Sequence, residues 1–208
     1  MLTEAKKKMA AGLFDVGAIK FGAFRLILHE RNPEAPLSPV YIDLRILRSF
    51  PAVMDSAIAV YEELVSGLKF DVYADVPTAA TPLVAILVYR NRIPMISPRK
   101  GGKQHGIKRP IDGVFRRGQV ALLIDDVITG ADSKLEAISV LEENGLTVRD
   151  VAILIDREQG GAAVLEKRGY SCRAAFKLKE LLRFYLDSGR ITPQLHEQTL
   201  TYLESGDA

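Results

Sequence analysis

The chain has 208 residues, 48% of them hydrophobic and 26% charged, with a formal net charge of +2 at pH 7. That length suits one globular domain with a sizeable core, and the near-neutral charge excludes a general electrostatic case for nucleic acid. The single cysteine, Cys172, excludes an intramolecular disulfide and fits a reducing cytoplasm, and no apolar run is long enough to span a membrane.

Taken in chain order, Thr3 to about Ile19 reads as an amphipathic helix with Thr3 near its cap. Lys6-Lys7-Lys8 lies in it with no long apolar run behind, so no secretory signal is expected. Phe21 to Leu28 is a strand candidate. His29 to Leu37, carrying Pro33 and Pro36, is a loop. Tyr41 to Leu44 is strand-like, and Pro51 opens a helix to about Leu64. Val72 to Val76 is a strand, followed by a loop and a helix with Pro82 in its first turn. Pro94-Met-Ile is a short strand. The stretch from Lys100 to Gly113 is rich in Gly, Lys and Arg without hydrophobic periodicity, and reads as a mobile loop. Gln119 to Ile124 is apolar nearly throughout, as a strand covered on both faces would be. Asp132 or Ser133 is expected to cap a helix to Asn144, with Gly145 just past its end. A strand over Val148 to Ile155, a helix from Gly161 to Lys167, a strand through Phe176, and helices over Lys179 to Leu186 and Pro193 to Leu203 complete the chain. Strand–helix alternation from Val72 onward implies a parallel sheet with helices on both faces.

The segment Val120-Ala-Leu-Leu-Ile-Asp-Asp-Val-Ile-Thr-Gly-Ala-Asp-Ser133 carries the most chemistry. An apolar strand ends in Asp125 and Asp126, a loop of small and hydroxyl residues follows, and a helix begins. Ligands of open α/β sheets bind at the carboxyl ends of strands. Amides at a loop and helix start hold phosphate, and paired carboxylates take ribose hydroxyls, directly or through a divalent metal. The combination suits a sugar phosphate. Taken alone, the diacid also reads as a capping turn, and the cationic stretch after Arg99 as a solvated loop.

Three further blocks stand in order around this segment: Ser38-Pro-Val-Tyr-Ile-Asp-Leu-Arg45, Arg99-Lys-Gly-Gly-Lys-Gln-His-Gly106 and Asp156-Arg-Glu-Gln-Gly-Gly161. Together the four resemble the type I phosphoribosyltransferases and, within them, the orotate phosphoribosyltransferases. The last block is similar to the form in bifunctional UMP synthases. The resemblance implies an α/β fold of the type I phosphoribosyltransferase kind, a parallel twisted sheet flanked by helices. It implies one domain over 1–208, with a small N-terminal hood at 1–45, a core at 46–178 and C-terminal helices at 179–208. It also implies transfer of the 5-phosphoribosyl group from phosphoribosyl pyrophosphate (PRPP) to orotate, giving orotidine 5′-monophosphate and pyrophosphate through an oxocarbenium-like transition state. No second catalytic domain is read in the chain, so decarboxylation of that product is expected elsewhere.

By the same resemblance, Asp125 and Asp126 hold the ribose, and Thr129, Gly130, Ala131, Asp132 and Ser133 cradle the 5′-phosphate. Arg99, Lys100, Lys103 and His105 engage pyrophosphate. Lys103, His105 and Asp126 are the candidate catalytic residues, while Thr129 and Arg157 are the candidate orotate contacts. Mg²⁺ is the implied cofactor, brought by PRPP near Asp125 and not ligated directly by the protein. The implied assembly is a homodimer whose loop 99–113 reaches the neighbouring site, with no membrane or nucleic-acid partner. Tyr41, Asp43 and Arg45 are expected to shape the fold or the dimer, and Arg157 alone also reads as a surface residue.

Three departures from the family pattern stand out. The lysine usually found shortly before the Ser-Pro block is absent, the segment there reading Phe24-Arg-Leu-Ile-Leu-His29. Ala131 replaces a glycine of the phosphate loop, where a Cβ limits positive φ, and Asp132 adds negative charge beside it. Val76-Pro-Thr-Ala-Ala-Thr81 lacks the lysine that some members carry. Three readings stay open: the orotate enzyme, a transferase for another base, and a non-catalytic binder of PRPP or nucleotide.

Overall fold

The computed structural model describes residues 2–26, 28–99 and 110–205. A six-stranded sheet of order β5-β4-β3-β6-β7-β8 forms its centre, and a separate two-stranded sheet pairs β1 with β2. β1 (Ile19–Phe24) and β2 (Ser38–Ile42) are antiparallel, with Ile19 opposite Ile42. Before them, α1 (Glu4–Asp15) is capped by Thr3, whose hydroxyl accepts from the Lys6 amide. The helix stops short of the predicted Ile19, which instead opens β1. A single turn, α2 (Leu28–Arg31), interrupts the expected loop, and a 3-10 helix over Leu44–Ser49 follows β2.

α3 (Pro51–Val65) begins at its proline, whose missing N–H costs nothing in a first turn. β3 (Val72–Asp75), α4 (Thr81–Asn91), β4 (Met95–Pro98), β6 (Val120–Ile128), α5 (Asp132–Glu143), β7 (Thr147–Asp156), α6 (Gly161–Lys167) and β8 (Ser171–Lys177) then alternate as expected. β3, β4, β6, β7 and β8 run parallel. The exception is β5 (Ile111–Asp112), two residues paired antiparallel to β4 inside the stretch expected to be loop. α7 (Leu178–Asp187) and α8 (Pro193–Glu204) close the chain. Among the described residues no helix is long and apolar enough to cross a membrane.

Side-chain alternation in the strands divides the buried residues into two clusters. Tyr73, Leu122, Ile124, Ala152 and Leu154 belong to the cluster that includes side chains of α1, α3, α4, α7 and α8. Val72, Ala74, Leu123, Val151 and Ile153 belong to the one that includes α5 and α6. Both faces of the central strands are therefore dry, which is why their sequences read as unbroken apolar runs. β6 is longer than its apolar run suggests. It continues through Asp125 and Asp126 to Ile128, so the two carboxylates lie within paired strand, with Asp125 opposite Ile153 of β7.

The start of α5 corrects an expectation. Ala131 occupies the cap position and makes no side-chain cap bond, while Asp132 is already the first helical residue. The Lys134 amide donates to the Ala131 carbonyl at 3.0 Å, and the Asp132 and Ser133 amides are left for another acceptor. At the other end Gly145 has φ 86°, where a Cβ would lie 2.8 Å from Arg117 Cζ.

Candidate active site

The carboxyl ends of β6, β7 and β3 supply the candidate site. Asp125 is buried, and each of its groups is engaged. Its Oδ1 accepts from the Asp126 amide at 2.9 Å, its Oδ2 pairs with Lys134 Nζ at 2.7 Å, and its carbonyl accepts from the Tyr61 hydroxyl at 2.8 Å. Asp126 Oδ1 accepts from the Val127 amide at 2.8 Å. Burial first, and then the charge of Asp125, push the Asp126 carboxyl up to about 7. Burial and the same two carboxylates raise the Tyr61 phenol well above its ordinary value. Tyr61 therefore remains a neutral donor, fixing the strand end from α3.

The loop after β6 is held by the segment after β7. The Arg157 amide donates to the Ile128 carbonyl at 2.9 Å, and the Gly161 amide to the Thr129 carbonyl at 3.0 Å. Gly161 must lack a side chain here, since a Cβ would come 2.6 Å from the Thr129 oxygen and 2.7 Å from Ile128 Cγ1. Thr129, Gly130 and Asp132 are exposed, Ser133 is half-buried and Ala131 is buried. Ala131 has φ −96° and ψ −7°, an ordinary right-handed conformation. No positive φ is needed at 131, and the methyl joins the cluster under α5.

Arg157 is buried, not on the surface, and its Nε and Nη2 have no hydrogen-bond partner. Burial lowers its guanidinium below the ordinary value. Gln159 Nε2 and Oε1 and the Tyr202 hydroxyl are likewise buried without partners. The neighbouring Asp156 is engaged locally, its Oδ1 accepting from the Glu158 amide at 2.8 Å, and Glu158 Oε2 in turn accepts from the Lys179 amide at the start of α7. On the β3 side, Thr81 at the start of α4 donates its hydroxyl to Asp75 Oδ2 and so joins the two ends of the loop 76–80.

Arg99 follows β4, and its Nε donates to Asp112 Oδ2 at 2.7 Å, with Nη2 on the other carboxylate oxygen. Lys100, Lys103 and His105 lie outside the described residues. Tyr41, Asp43 and Arg45 form one cluster, with Arg45 Nε 2.8 Å from Asp43 Oδ1 and Nη2 3.1 Å from the Tyr41 hydroxyl. Cys172 is half-buried, its thiol pushed up to about 11 by burial.

The structure thus brings Asp125, Asp126, the 129–133 loop and Arg157 together at the ends of two adjacent strands. No family model matches the chain. It is 38% identical over 175 residues to the orotate phosphoribosyltransferase of Pyrobaculum aerophilum, across 84% of this chain and 88% of that one. The chain belongs to the orotate phosphoribosyltransferase family. Two longer relatives of this family agree. A bifunctional enzyme PyrF/PyrE of Nostoc sp. is 35% identical over 182 residues, covering 88% of this chain. The structure of Leishmania donovani UMP synthase superposes with a TM-score of 0.84 at 32% identity over 96% of this chain. The chain spans only 37% and 42% of those two proteins' lengths. Its sheet and flanking helices are the type I phosphoribosyltransferase fold.

Within this family frame, sequence reasoning missed Lys134, Tyr61, Gly161 and the Asp75–Thr81 bond. Lys134 carried a usable signal. A lysine three residues into a helix opposes the helix dipole, and so calls for a local acid.

Proposed function

We propose that the chain transfers the 5-phosphoribosyl group of PRPP to orotate, giving orotidine 5′-monophosphate and pyrophosphate in pyrimidine synthesis. The observation that carries this reading is the buried guanidinium of Arg157, set beside a phosphate-type loop without an anion of its own. A buried charged donor left unpaired costs on the order of 1–3 kcal/mol or more. A ligand bearing a planar carboxylate removes that cost through paired hydrogen bonds, and orotate carries such a group. The Arg157 amide is bonded to the carbonyl of Ile128, the residue before Thr129, which is the other candidate base contact.

The ribose lies against Asp126 and the 5′-phosphate against Thr129 to Ser133, where the uncapped first turn of α5 presents amides and the positive end of the helix. Arg99, Lys100, Lys103 and His105 serve the pyrophosphate, with Lys103 and His105 donating to the leaving group. Mg²⁺ brought by PRPP would be held near the carboxylates of Asp125 and Asp126, where it would supply charge neutralisation to the leaving pyrophosphate. The Asp126 carboxylate, once ionised, puts negative charge beside the ribose, which favours a developing oxocarbenium ion. The β1–β2 sheet acts as the hood, and loop 99–113 completes the site of a second copy in a cytoplasmic homodimer.

One observation favours a second reading, a transferase for another base. The Gln159 amide is buried and unpartnered, and an amide suits the hydrogen-bonding edge of an uncharged base. Turnover of PRPP and Mg²⁺ with orotate, followed by loss of orotate absorbance, tests the assignment, with uracil, hypoxanthine and adenine compared by pyrophosphate release. Orotate turnover supports the first reading and turnover with another base alone supports the second. PRPP binding without any turnover makes the chain a nucleotide-binding regulator.

A further inference from the structure

The two adjacent carboxylates of β6 are not equally buried or equally engaged. Asp125 points to the α5 side of the sheet, where Lys134 meets it, and the residue is 4% exposed. Its two oxygens are already committed, one to the Asp126 amide at 2.9 Å and the other to Lys134 Nζ at 2.7 Å. Asp126, one residue on, lies close to the side chains of Asp125 and Lys134 and to Tyr61 of α3. It spends one oxygen on the Val127 amide and remains partly open.

Lys134 is equally committed. Its ammonium has three protons and three acceptors: Asp125 Oδ2 at 2.7 Å, the Val127 carbonyl at 2.6 Å and Ser133 Oγ at 3.4 Å. It is 4% exposed. To reach a phosphate it would have to abandon a buried carboxylate and a part-buried carbonyl. A lysine in the first turn of a phosphate-binding helix is easily read as a phosphate ligand, but this one is turned inward. Its contacts run from the end of β6 to the first turn of α5, and so close the loop that carries Thr129, Gly130 and Ala131 between them.

We propose that Lys134 is a positioning residue that withdraws Asp125 from the ribose, braces the phosphate loop against β6, and leaves Asp126 as the carboxylate that meets the ribose hydroxyls. This rests on the reading of the site as one for PRPP. The Asp125–Lys134 pair sets where the loop amides stand relative to Asp126. It acts on sugar-phosphate binding through that spacing and makes no contact with the substrate. Misplacement of such groups by about 1 Å costs up to about 100-fold in function, so the brace is felt in PRPP affinity before it is felt in the chemical step.

The test is PRPP binding with Mg²⁺ by titration calorimetry on the full chain, with orotate turnover resolved into KM for PRPP and kcat. Lys134→Met leaves Asp125 buried and unpaired, and is expected to raise Kd and KM for PRPP by about 10- to 100-fold, with kcat changed far less. Adding Asp125→Asn to it removes the stranded charge and is expected to recover most of that loss. The double variant also keeps the test open should Lys134→Met alone fail to fold, since removing both members of a buried pair is tolerated better than removing one. Asp125→Asn alone is expected to weaken PRPP at least about ten-fold less than Asp126→Asn does. Equal losses from Asp125→Asn and Asp126→Asn, or a double variant worse than Lys134→Met, would overturn the proposal while leaving the PRPP reading in place. A wild-type chain that binds no PRPP overturns that reading and this proposal together.

Discussion

Gly161→Ala asks whether the phosphate loop is held by backbone packing. The added methyl would meet the Thr129 carbonyl oxygen at 2.6 Å, Ile128 Cγ1 at 2.7 Å and the Gly130 carbonyl carbon at 3.0 Å. Two of these atoms are backbone and cannot rotate away, so either α6 or the loop must move. Forcing one extra carbon into a packed site costs about 1–3 kcal/mol. Gly161 opens α6 without a positive φ, so alanine incurs no backbone strain and returns at most about 1 kcal/mol of helix propensity. The expected net loss is about 1–2 kcal/mol, which in a chain of this size lowers Tm by roughly 2–8 °C. The movement falls on the Gly161 amide bond to Thr129, so KM for PRPP should rise as well. Gly130→Ala is the matched control for stability, because a Cβ there meets nothing within 4 Å and the residue has no positive φ. Denaturant midpoints, thermal scans and PRPP titrations on both variants decide the matter. Wild-type stability and KM in Gly161→Ala would refute the packing argument, as would an equal loss of stability in Gly130→Ala.

Asp126 gives a pH dependence with two signs. Its carboxyl stands at about 7 in the folded chain against about 3.9 when unfolded, so the folded state holds a proton that the unfolded state releases between those values. Its contribution to stability is therefore greatest below about pH 4 and is lost as pH rises to about 7. PRPP affinity should move the opposite way, improving through pH 7 as the carboxylate forms, and Asp126→Asn should flatten both profiles and weaken binding. Lys103→Ala should cut turnover strongly with little change in PRPP binding; unchanged turnover removes Lys103 from the mechanism. Arg157→Met should leave PRPP affinity intact and raise KM for orotate at least about ten-fold, while stabilising the free protein by removing an unpaired buried charge. A destabilised variant with normal KM would make Arg157 a structural residue.

What could be read from the chain differs by the kind of signal. β6 and α3 were legible because a continuous apolar run and an N-terminal proline act locally. The diacid and the loop were legible because their residue types match one chemistry. β5 was not, since Ile111 and Asp112 are strand only through their pairing with Ser97 and Pro98, a fact about the neighbouring edge. The burial of Arg157 depends on what packs over the end of β7, and the Asp75–Thr81 bond depends on α4 turning back to β3. Lys134 lies between these cases. Its position opposed the helix dipole visibly, but its partner is nine residues away, on the strand before the loop.

The altered phosphate loop shows how a departure in sequence changes meaning once its surroundings are known. Ala131 stands where a glycine was expected, yet its φ of −96° is open to any residue and its methyl is buried with Ala137 and Ile138. Ala131→Gly would remove a buried methyl worth about 0.8 kcal/mol and add backbone freedom worth about 0.5–1 kcal/mol, so it should destabilise the chain by about 1–2 kcal/mol without tightening PRPP. Asp132 is different. It is exposed at the first position of α5, where its charge favours the helix by about 0.3–1 kcal/mol and opposes a bound phosphate. Asp132→Ser should therefore lose a little stability and gain PRPP affinity, most visibly at low salt, where the repulsion is least screened. The gain should shrink as ionic strength rises. A gain from Ala131→Gly instead, with none from Asp132→Ser, would place the obstacle in the backbone and contradict the conformation seen at residue 131.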